Sequence, residues 1–478
     1  MAGKYCIQDG RLNGDIDNDK MSEECGVFGV YKPGKGYDPA NLSYLGLHAL
    51  QHRGQESAGI CVNNKGNLDL FKDMGVVNNV FDENIIDSLQ GEMAIGHVRY
   101  STTGSSKLVN AQPLLTNSIK GELALAHNGN LVNGEKLKSK LEGLGSIFHS
   151  TLDTEVIAHL VSRSLKNDII EAFKDSLHQL RGAFSMVALT SDSLIAVRDP
   201  RGFRPLSLGK IGEGYVVASE SCAFDVIGAE HIRDIEPGEM LVINEDGLNS
   251  FRYSEKKDHK FCVFEFIYFA RPDSVIGGEN VHKARRKLGR QLARETDIDA
   301  DMVIPVPSSG ISAALGYAEE SNIPYEKGIL RNKYVGRTFI QPTQKIRDLK
   351  VRLKLNPIKN IISGKKFILI DDSIVRGTTS KQIIRMVKEA GAKEVHMLIS
   401  SPPVTDPCYY GLDTSRRKEL IASNNSVAEI CDHIGADSLS YLSLEGLLKS
   451  IDADNYGFCT ACFDGKSPLE SNRNGGDF

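Results

Sequence analysis

Short apolar runs separated by turn residues dominate the first half of the chain. They occur at residues 25–31, 93–100, 123–127, 184–190, 194–198 and 215–219, with Gly, Asn, Asp or Pro between them. Apolar runs of this length with such breakers are typical of buried β-strands. Stretches with helical spacing lie among them at residues 42–52 and 153–165. This half is therefore predicted to be an α+β domain.

After residue 255 the pattern changes to an alternation of strands and helices. Strand-like runs at residues 301–306, 366–370 and 395–400 alternate with helical stretches at 312–320 and 379–390, and Gly391 follows the last of these. Such alternation predicts a parallel sheet with covering helices. At 478 residues the chain is too long for one ordinary domain. We expect domains at residues 25–255 and 256–445, with a leader at 1–24 and a cysteine-bearing segment at 446–478.

Composition narrows the class of protein. Hydrophobic residues make up 41% and charged residues 25%, with a net charge of -5, so global charge gives no support for a nucleic-acid or membrane partner. No apolar run approaches the ~20 residues that span a bilayer. The nine cysteines are odd in number, and residues 1–24 lack the apolar core of a secretory signal. We therefore predict a cytoplasmic protein whose cysteines are thiols, ligands or nucleophiles.

Cys25 begins one of the apolar runs. A thiol attacks only as thiolate and needs a base. If the chain were cut before Cys25, its own α-amino group, which titrates near ~8, would supply that base. The alternative from the local pattern is a buried cysteine in the core.

Four ordered motifs favour the catalytic interpretation. They are QHRGQESAG at residues 51–59, GHVRYST at 96–102, HNGN at 127–130 and DTE at 153–155. Together with Cys25 they resemble the glutaminase domain of class II, N-terminal nucleophile amidotransferases, which has an αββα fold. The resemblance implies that Cys25 attacks glutamine, that Asn128 and Gly129 form the oxyanion hole, and that Arg99 and Asp153 hold the substrate's α-carboxylate and α-ammonium. Taken singly, Arg99 could be a surface ion pair and Asn128-Gly129 a turn.

The position of Cys25 also implies a leader. In this class the nucleophile is the mature first residue, so residues 1–24 are expected to be a propeptide cleaved after Glu24. Ser22, Glu23 and Glu24 would still have to be removed in addition to the initiator if the chain started at Met21.

The stretch FILIDDSIVRGTTS at residues 367–380 is an apolar strand ending in two acids, followed by a Gly/Thr loop and a helix. Such a loop can hold a phosphate, although acids after a strand also cap helices. It resembles the phosphoribosyl pyrophosphate fingerprint of type I phosphoribosyltransferases. The resemblance implies that Asp371 and Asp372 bind ribose and Mg²⁺, with Ser309 contributing to the metal site. The residues implied to hold the 5-phosphate are Ser373, Arg376, Gly377, Thr378 and Thr379.

Residues 331–354 contain eight Lys or Arg and one acid. Such a run is usually a solvated face or a nucleic-acid patch. Here it fits a flap that closes over pyrophosphate, with Arg337, Gln341 and Lys354 as its predicted contacts.

Cys459 and Cys462 form a Cys-x-x-Cys pair, and Cys262 and Cys408 are two further candidate ligands. Four thiolates suit zinc or a 4Fe–4S cluster, and the spacing does not decide between them. The two domains in this order resemble glutamine-dependent amidotransferases that act on phosphoribosyl pyrophosphate, and the branch with a propeptide implies a 4Fe–4S cluster.

That family resemblance implies a complete activity. Glutamine and phosphoribosyl pyrophosphate give phosphoribosylamine, glutamate and pyrophosphate, the committed step of purine synthesis, with ammonia passing through an internal channel. Purine nucleotides are the implied inhibitors and a homotetramer the implied assembly. Two alternatives remain, a non-catalytic phosphoribosyl-binding regulator and another class II glutamine-dependent synthase; residues 366–380 argue against the second.

Overall fold

The computed structural model describes residues 25–100, 106–255, 257–332, 354–412, 414, 416–453 and 456–469. They group into two compact units. The first unit holds the described residues of Ser22–Ala284, Asp406–Ser415 and Ile451–Phe478, and the second those of Arg285–Thr405 and Arg416–Ser450. Two late segments of the chain therefore pack with the first unit.

Antiparallel strands form the centre of the first unit. They are β1 (Gly26–Tyr31), β2 (Ser57–Asn64), β3 (Asn67–Met74), β4 (Met93–Arg99), β5 (Leu114–Ser118), β6 (Gly121–Leu131), β7 (Gly182–Leu189), β8 (Leu194–Arg198), β9 (Ser207–Ile211), β10 (Gly214–Ala218), β11 (Glu230–Asp234), β12 (Glu239–Asn244) and β13 (Gly247–Arg252). One sheet has the order β11-β9-β10-β1-β4-β2-β3, and the other β13-β12-β8-β7-β6-β5.

Helices cover the outer faces of these two sheets. They are α1 (Pro39–Ala49), α2 (Val77–Val80), α3 (Glu83–Ser88), α4 (Gly134–Gly143), α5 (Asp153–Arg163), α6 (Ile169–Leu177) and α7 (Cys222–Ile227). The first three helices and α7 share a core with the seven-stranded sheet, and α4 to α6 share one with the six-stranded sheet. A third core lies between the sheets. The four layers confirm the predicted αββα fold.

The apolar sequence of β1 is explained by the burial of both of its faces. Phe28 and Val30 pack in the helix-side core, whereas Val27 and Tyr31 pack between the sheets. A strand buried on both faces reads as a continuous apolar run. The helix α1 lies so close that a Cβ at Gly46 would fall 2.5 Å from the Phe28 ring, so this crossing requires glycine.

Small elements complete the first unit. They are β14 (Phe261–Cys262), β15 (Val275–Ile276), β16 (Glu279–Asn280), β23 (Phe458–Cys459), a π-helical turn (Glu265–Phe269), a 3₁₀ turn (Leu108–Asn110) and the late helix Ala461–Asp464. β14 pairs in parallel with β23, which ties the last described segment to this unit.

The second unit is built on a four-stranded parallel sheet. Its strands are β17 (Met302–Pro305), β20 (Lys366–Asp371), β21 (Glu394–Ile399) and β22 (Ser438–Tyr441), in that order, beside the pair β18 (Ile329–Arg331) and β19 (Leu355–Pro357). Its helices are α8 (Val281–Glu295, from Arg285 onward), α9 (Ile311–Ser321), α10 (Lys359–Ile362), α11 (Thr378–Glu389), α12 (Val427–Ile434) and α13 (Leu444–Ser450), with 3₁₀ turns at Arg417–Glu419 and Ile421–Ser423. The predicted parallel sheet is confirmed.

The elements predicted from apolar spacing are all present, with shifts at their ends. The helix expected at 42–52 is Pro39–Ala49, because Asp38 caps it by accepting a hydrogen bond from the Ala40 amide at 3.0 Å and Pro39 suits the first helical position. The strand expected at 123–127 extends to Gly121–Leu131 and so includes Asn128 and Gly129. Within the described residues, no helix is both long and apolar enough to cross a membrane.

Candidate active site

Alternation along two strands directs Cys25 and Arg99 into the space between the sheets. Val27 in β1 and Ile95 in β4 both pack in the core between the sheets. Side chains two and four residues away point to the same face, so Cys25 and Arg99 do as well. Gly26 pairs with Val98, which makes Cys25 and Arg99 cross-strand neighbours at the end of the ladder.

The facing sheet brings Asn128 to the same space. Ala124 and Ala126 of β6 belong to the core between the sheets, and Asn128 follows in the same alternation. The Asn128 side-chain Nδ2 is buried and has no hydrogen-bond partner among the described residues. A buried, unpaired donor is costly, and a ligand carbonyl oxygen would satisfy it.

Gly129 is fixed by close packing of the backbone. Its φ is +139°, and a Cβ there would lie 2.0 Å from the Ala183 carbonyl oxygen on β7. Only glycine fits this conformation and this approach without a shift of the strands.

Cys25 is a buried thiol that needs a base. Its Sγ lies 3.6 Å from the Tyr100 carbonyl oxygen. Burial raises the pKa of the Cys25 thiol, although the Tyr100 carbonyl and the charge of Arg99 oppose the rise. Glu56 and Asp153 also act on this pKa, so both carboxylates lie near the sulfur.

Asp153 begins α5 and is held beside β6. Its Oδ2 accepts a hydrogen bond from the Leu131 amide at 2.9 Å, and its Oδ1 lies 3.5 Å from His127 Nδ1. Burial raises the pKa of the Asp153 carboxyl, but the interaction with His127 and the backbone donors outweigh it, so the pKa falls below its ordinary value. The structure thus gathers Cys25, Arg99 and an ionised Asp153 around one space.

Arg53 is a residue to which the sequence assigned no role. It is fully buried, and its Nε donates to the Cys25 carbonyl oxygen at 3.1 Å. Its guanidinium also binds Glu220 at 2.6 Å and Glu265 at 2.8 Å. Burial lowers the pKa of Arg53, but the two carboxylates outweigh it and raise the pKa well above its usual range. Arg53 lies in the QHRGQE motif, but its acidic partners are 167 and 212 residues away and were not detectable as partners.

Two neighbouring strand ends define the site in the second unit. Asp371 ends β20, and Ser309 follows β17, the adjacent parallel strand. The Ser309 hydroxyl donates to Asp371 Oδ1 at 3.0 Å. Asp371 and Asp372 are both buried. Ligands in parallel α/β sheets bind at the carboxyl ends of the strands, where these groups lie.

The loop from Ser373 to Gly377 leads directly into α11. Gly377 has φ +80° and precedes Thr378, the first residue of the helix. Thr379 follows in the first turn and is buried. The backbone amides of this helical turn offer donors for an anion.

Arg376 lies at the edge of that loop. It forms an ion pair with Glu419 at 2.6 Å. Beside it is a cavity of about 250 Å³, lined by Arg376, Lys418, Glu419, Leu420, Ile421, Asn424, Asn425 and His433. Arg376 therefore belongs to the loop before α11 and also lines this cavity.

The predicted flap is described only in part. Lys354 directly precedes β19, and its carbonyl oxygen accepts a hydrogen bond from the Asn332 amide at 2.8 Å. Arg337 and Gln341 lie outside the described residues. Their proposed contacts stay predictions.

The four candidate ligand cysteines come together in the first unit. Cys262 and Cys459 are paired residues of β14 and β23, and Cys462 lies on the late helix. The Tyr410 amide donates to Cys408 Sγ at 3.3 Å. Burial raises the pKa of Cys262 and of Cys459 to about 12, and the neighbouring thiols, Cys408 among them, add to the rise.

Cys408 also packs against the hydrophobic cluster to which Cys459 belongs, which places these two thiols close together. Across the residues that the structure describes, no group of three or more His, Cys, Asp or Glu side chains is arranged to hold a single metal ion.

Comparison with known proteins matches both halves of the chain to families. A glutamine amidotransferase domain model matches residues 97–226, and a phosphoribosyl transferase domain model matches residues 277–428. An amidophosphoribosyltransferase of Bacillus subtilis is 52% identical over 94% of this chain and 95% of its own length. One of Synechococcus elongatus is 49% identical over 94% and 92%.

The chain belongs to the amidophosphoribosyltransferase family. A solved structure of the Bacillus subtilis glutamine phosphoribosylpyrophosphate amidotransferase, complexed with ADP and GMP, superposes with a TM-score of 0.88 at 51% identity, covering 95% of this chain and 99% of that one. The chain is thus an enzyme of the glycosyltransferase type. Like other amidophosphoribosyltransferases, it carries out glutamine-dependent amidotransfer to phosphoribosyl pyrophosphate in purine biosynthesis.

Gly129→Ala is expected to lower glutamine hydrolysis at least about a hundredfold, because the new Cβ must displace β7 and with it the neighbouring Asn128. Steady-state glutaminase assays measure this loss. Gly121→Ala is the matched control, since Gly121 has φ +105° in the same strand but nothing within 4 Å of its Cβ. Equal losses in the two variants would mean that backbone strain, and not the collision, causes the effect.

Proposed function

We propose that Cys25, Asn128, Gly129, Arg99 and Asp153 together hydrolyse glutamine in the first unit. The observation that carries this proposal is the buried, unpartnered Nδ2 of Asn128, which shares the space between the sheets with Cys25. An enzyme that attacks an amide needs a donor for the oxygen on which charge develops.

The mechanism follows from these positions. The Cys25 thiolate attacks the side-chain amide carbon of glutamine, and the Asn128 side chain and the Gly129 amide stabilise the oxyanion. The tetrahedral intermediate releases ammonia and leaves a glutamyl thioester, which water then hydrolyses. Arg99 pairs with the α-carboxylate through its planar fork, and Asp153, whose pKa is lowered, holds the α-ammonium.

The α-amino group of Cys25 is the proposed base. The thiol is buried and its pKa is raised, so proton removal must be local. Removal of residues 1–24 would create that amine next to the sulfur. The propeptide is therefore part of the proposal, and cleavage after Glu24 activates the enzyme.

In the second unit, Asp371 and Asp372 bind the ribose hydroxyls of phosphoribosyl pyrophosphate. Ser373, Arg376, Gly377, Thr378 and Thr379 hold the 5-phosphate. Mg²⁺, which the family uses with this substrate, would be held by Ser309, Asp371 and Asp372 and would neutralise pyrophosphate charge; the 3.0 Å contact between Ser309 and Asp371 fits such an oxygen-rich site. Arg337, Gln341 and Lys354 contact the leaving pyrophosphate as ammonia displaces it.

The four cysteines, of which Cys459 and Cys462 are buried, fit a 4Fe–4S cluster. Burial raises the pKa of Cys262, Cys459 and Cys462, so a cationic centre would be needed to compensate the charge of their thiolates. A cluster would join the late chain segments to β14 and so stabilise the first unit.

The remaining proposals concern regulation and assembly. The solved Bacillus subtilis relative is complexed with ADP and GMP, which supports purine nucleotides as feedback inhibitors here. A homotetramer in the cytoplasm is proposed from the same family.

Asn128→Ala is expected to lower kcat for glutamine hydrolysis by about 10²–10³, with KM changed little, because its donor acts mainly on the oxyanion. Amination with added ammonium salt should continue. Asn117→Ala, an exposed position on β5, is the control. An unchanged kcat would remove Asn128 from the oxyanion hole.

Intact-mass and N-terminal analysis of the purified active enzyme should show Cys25 as the first residue. A variant that retains residues 1–24 should lack glutaminase activity but keep ammonia-dependent amination. Full glutaminase activity with the leader still attached would contradict the proposed base.

Elemental analysis should find about four iron and four sulfide per chain, because a 4Fe–4S cluster takes four thiolates. Cys459→Ser should lose this content, and Cys431→Ser should keep it, since Cys431 lies in the second unit. One zinc per chain, or retention of iron by Cys459→Ser, would overturn the assignment.

A further inference from the structure

A line of buried polar contacts begins at the backbone of Cys25. Arg53 donates to the Cys25 carbonyl oxygen at 3.1 Å and binds Glu265 at 2.8 Å. Arg53 and Glu265 are both buried from solvent, and Glu265 begins the π-helical turn three residues after Cys262. Glu265 thus binds Arg53, and Arg53 in turn binds the backbone carbonyl group of Cys25, the proposed nucleophile.

The line continues through a second buried arginine. Arg204 Nη1 lies 4.0 Å from Glu265 Oε1, and its Nη2 donates to the Tyr410 carbonyl oxygen. The Tyr410 amide in turn donates to Cys408 Sγ at 3.3 Å. Gly411 lies close to the same arginine. A Cβ added at Gly411 would fall only 2.9 Å from Arg204 Nη2.

Arg204 also acts on the other cysteines. Its positive charge opposes the rise that burial causes in the pKa of Cys262 and of Cys459. Arg204 therefore lies beside the four-cysteine site as well as near Glu265, through the Tyr410 backbone that also contacts Cys408. Buried charges interact strongly because little water screens them, so a change at one end alters the balance at Glu265.

We propose that Glu265 and Arg204 are positioning residues that couple the four-cysteine site to the backbone of Cys25. A change at the cysteines shifts Arg204, Glu265 and Arg53 and so changes how the Cys25 sulfur meets glutamine. The positioning role stands on the described contacts, whereas control by a bound cluster rests on the proposed function. A role in stability alone would lower the melting temperature and leave the reactivity of folded Cys25 unchanged.

The test uses the full enzyme as purified and a diazoketone analogue of glutamine that alkylates Cys25. Glu265→Gln and Arg204→Met should each slow labelling at saturating analogue about tenfold or more, with the half-saturating concentration within about twofold. Mass spectrometry follows the labelling, and the melting temperature is recorded for each sample. Arg204→Met leaves the contact between Glu265 and Arg53 in place, so this variant provides the test if Glu265→Gln does not fold.

Arg233→Met is the matched control, because Arg233 pairs with Glu239 at 2.7 Å in the same unit but outside this line. It should label at the parental rate. Parental labelling rates in both Glu265→Gln and Arg204→Met, or equal slowing in Arg233→Met, would overturn the positioning role.

A double-mutant cycle tests the coupling to the cysteines. Cys408→Ser should slow labelling in the parental enzyme and have a smaller effect in the Glu265→Gln background. Additive effects would overturn the coupling. Iron is measured in the same samples to separate the two proposals. A parental enzyme without iron would refute the 4Fe–4S cluster. The double-mutant cycle would still decide whether the four cysteines are coupled to Cys25.

Discussion

The packing of two sheets whose central strands are buried on both faces is the constraint on which the first unit depends. Every second residue of β1, β4 and β6 points into the space between the sheets, where most of these residues are apolar and His97 is buried among them. At the strand ends the same alternation delivers Cys25, Arg99 and Asn128 instead. The groups proposed to be catalytic are therefore placed by the same alternation that builds the core.

Charged and polar groups that are buried in this arrangement lose their contacts with water and need partners within the protein. An ion such as Arg53 is stable inside only with matched carboxylates, and Glu220 and Glu265 supply them. Asn128 is the opposite case, because its donor is buried without a partner in the described part of the chain. Asn128 Nδ2 is one of several buried side-chain atoms without a partner among the described residues, and its proposed role would give it a partner when substrate binds.

The second unit places chemistry by a different rule. In a parallel sheet the carboxyl ends of neighbouring strands meet at one edge, so Ser309 after β17 and Asp371 at the end of β20 become hydrogen-bonded although 62 residues separate them. The following helix adds its free backbone amides at the same edge. The proposed phosphate loop and its two acids lie on one continuous strand, turn and helix, so the sequence alone could predict this site.

The sequence alone determined the strands and helices with strong periodicity, the two-domain order and the motifs around Cys25, Asn128 and Asp371. These are local features, because apolar spacing and loop-forming residues act over a few positions. Tertiary structure alone decided which distant residues meet. The pairing of Arg53 with Glu265, and the return of Cys408, Cys459 and Cys462 to the first unit, depend on contacts between segments hundreds of residues apart, for which no local pattern exists.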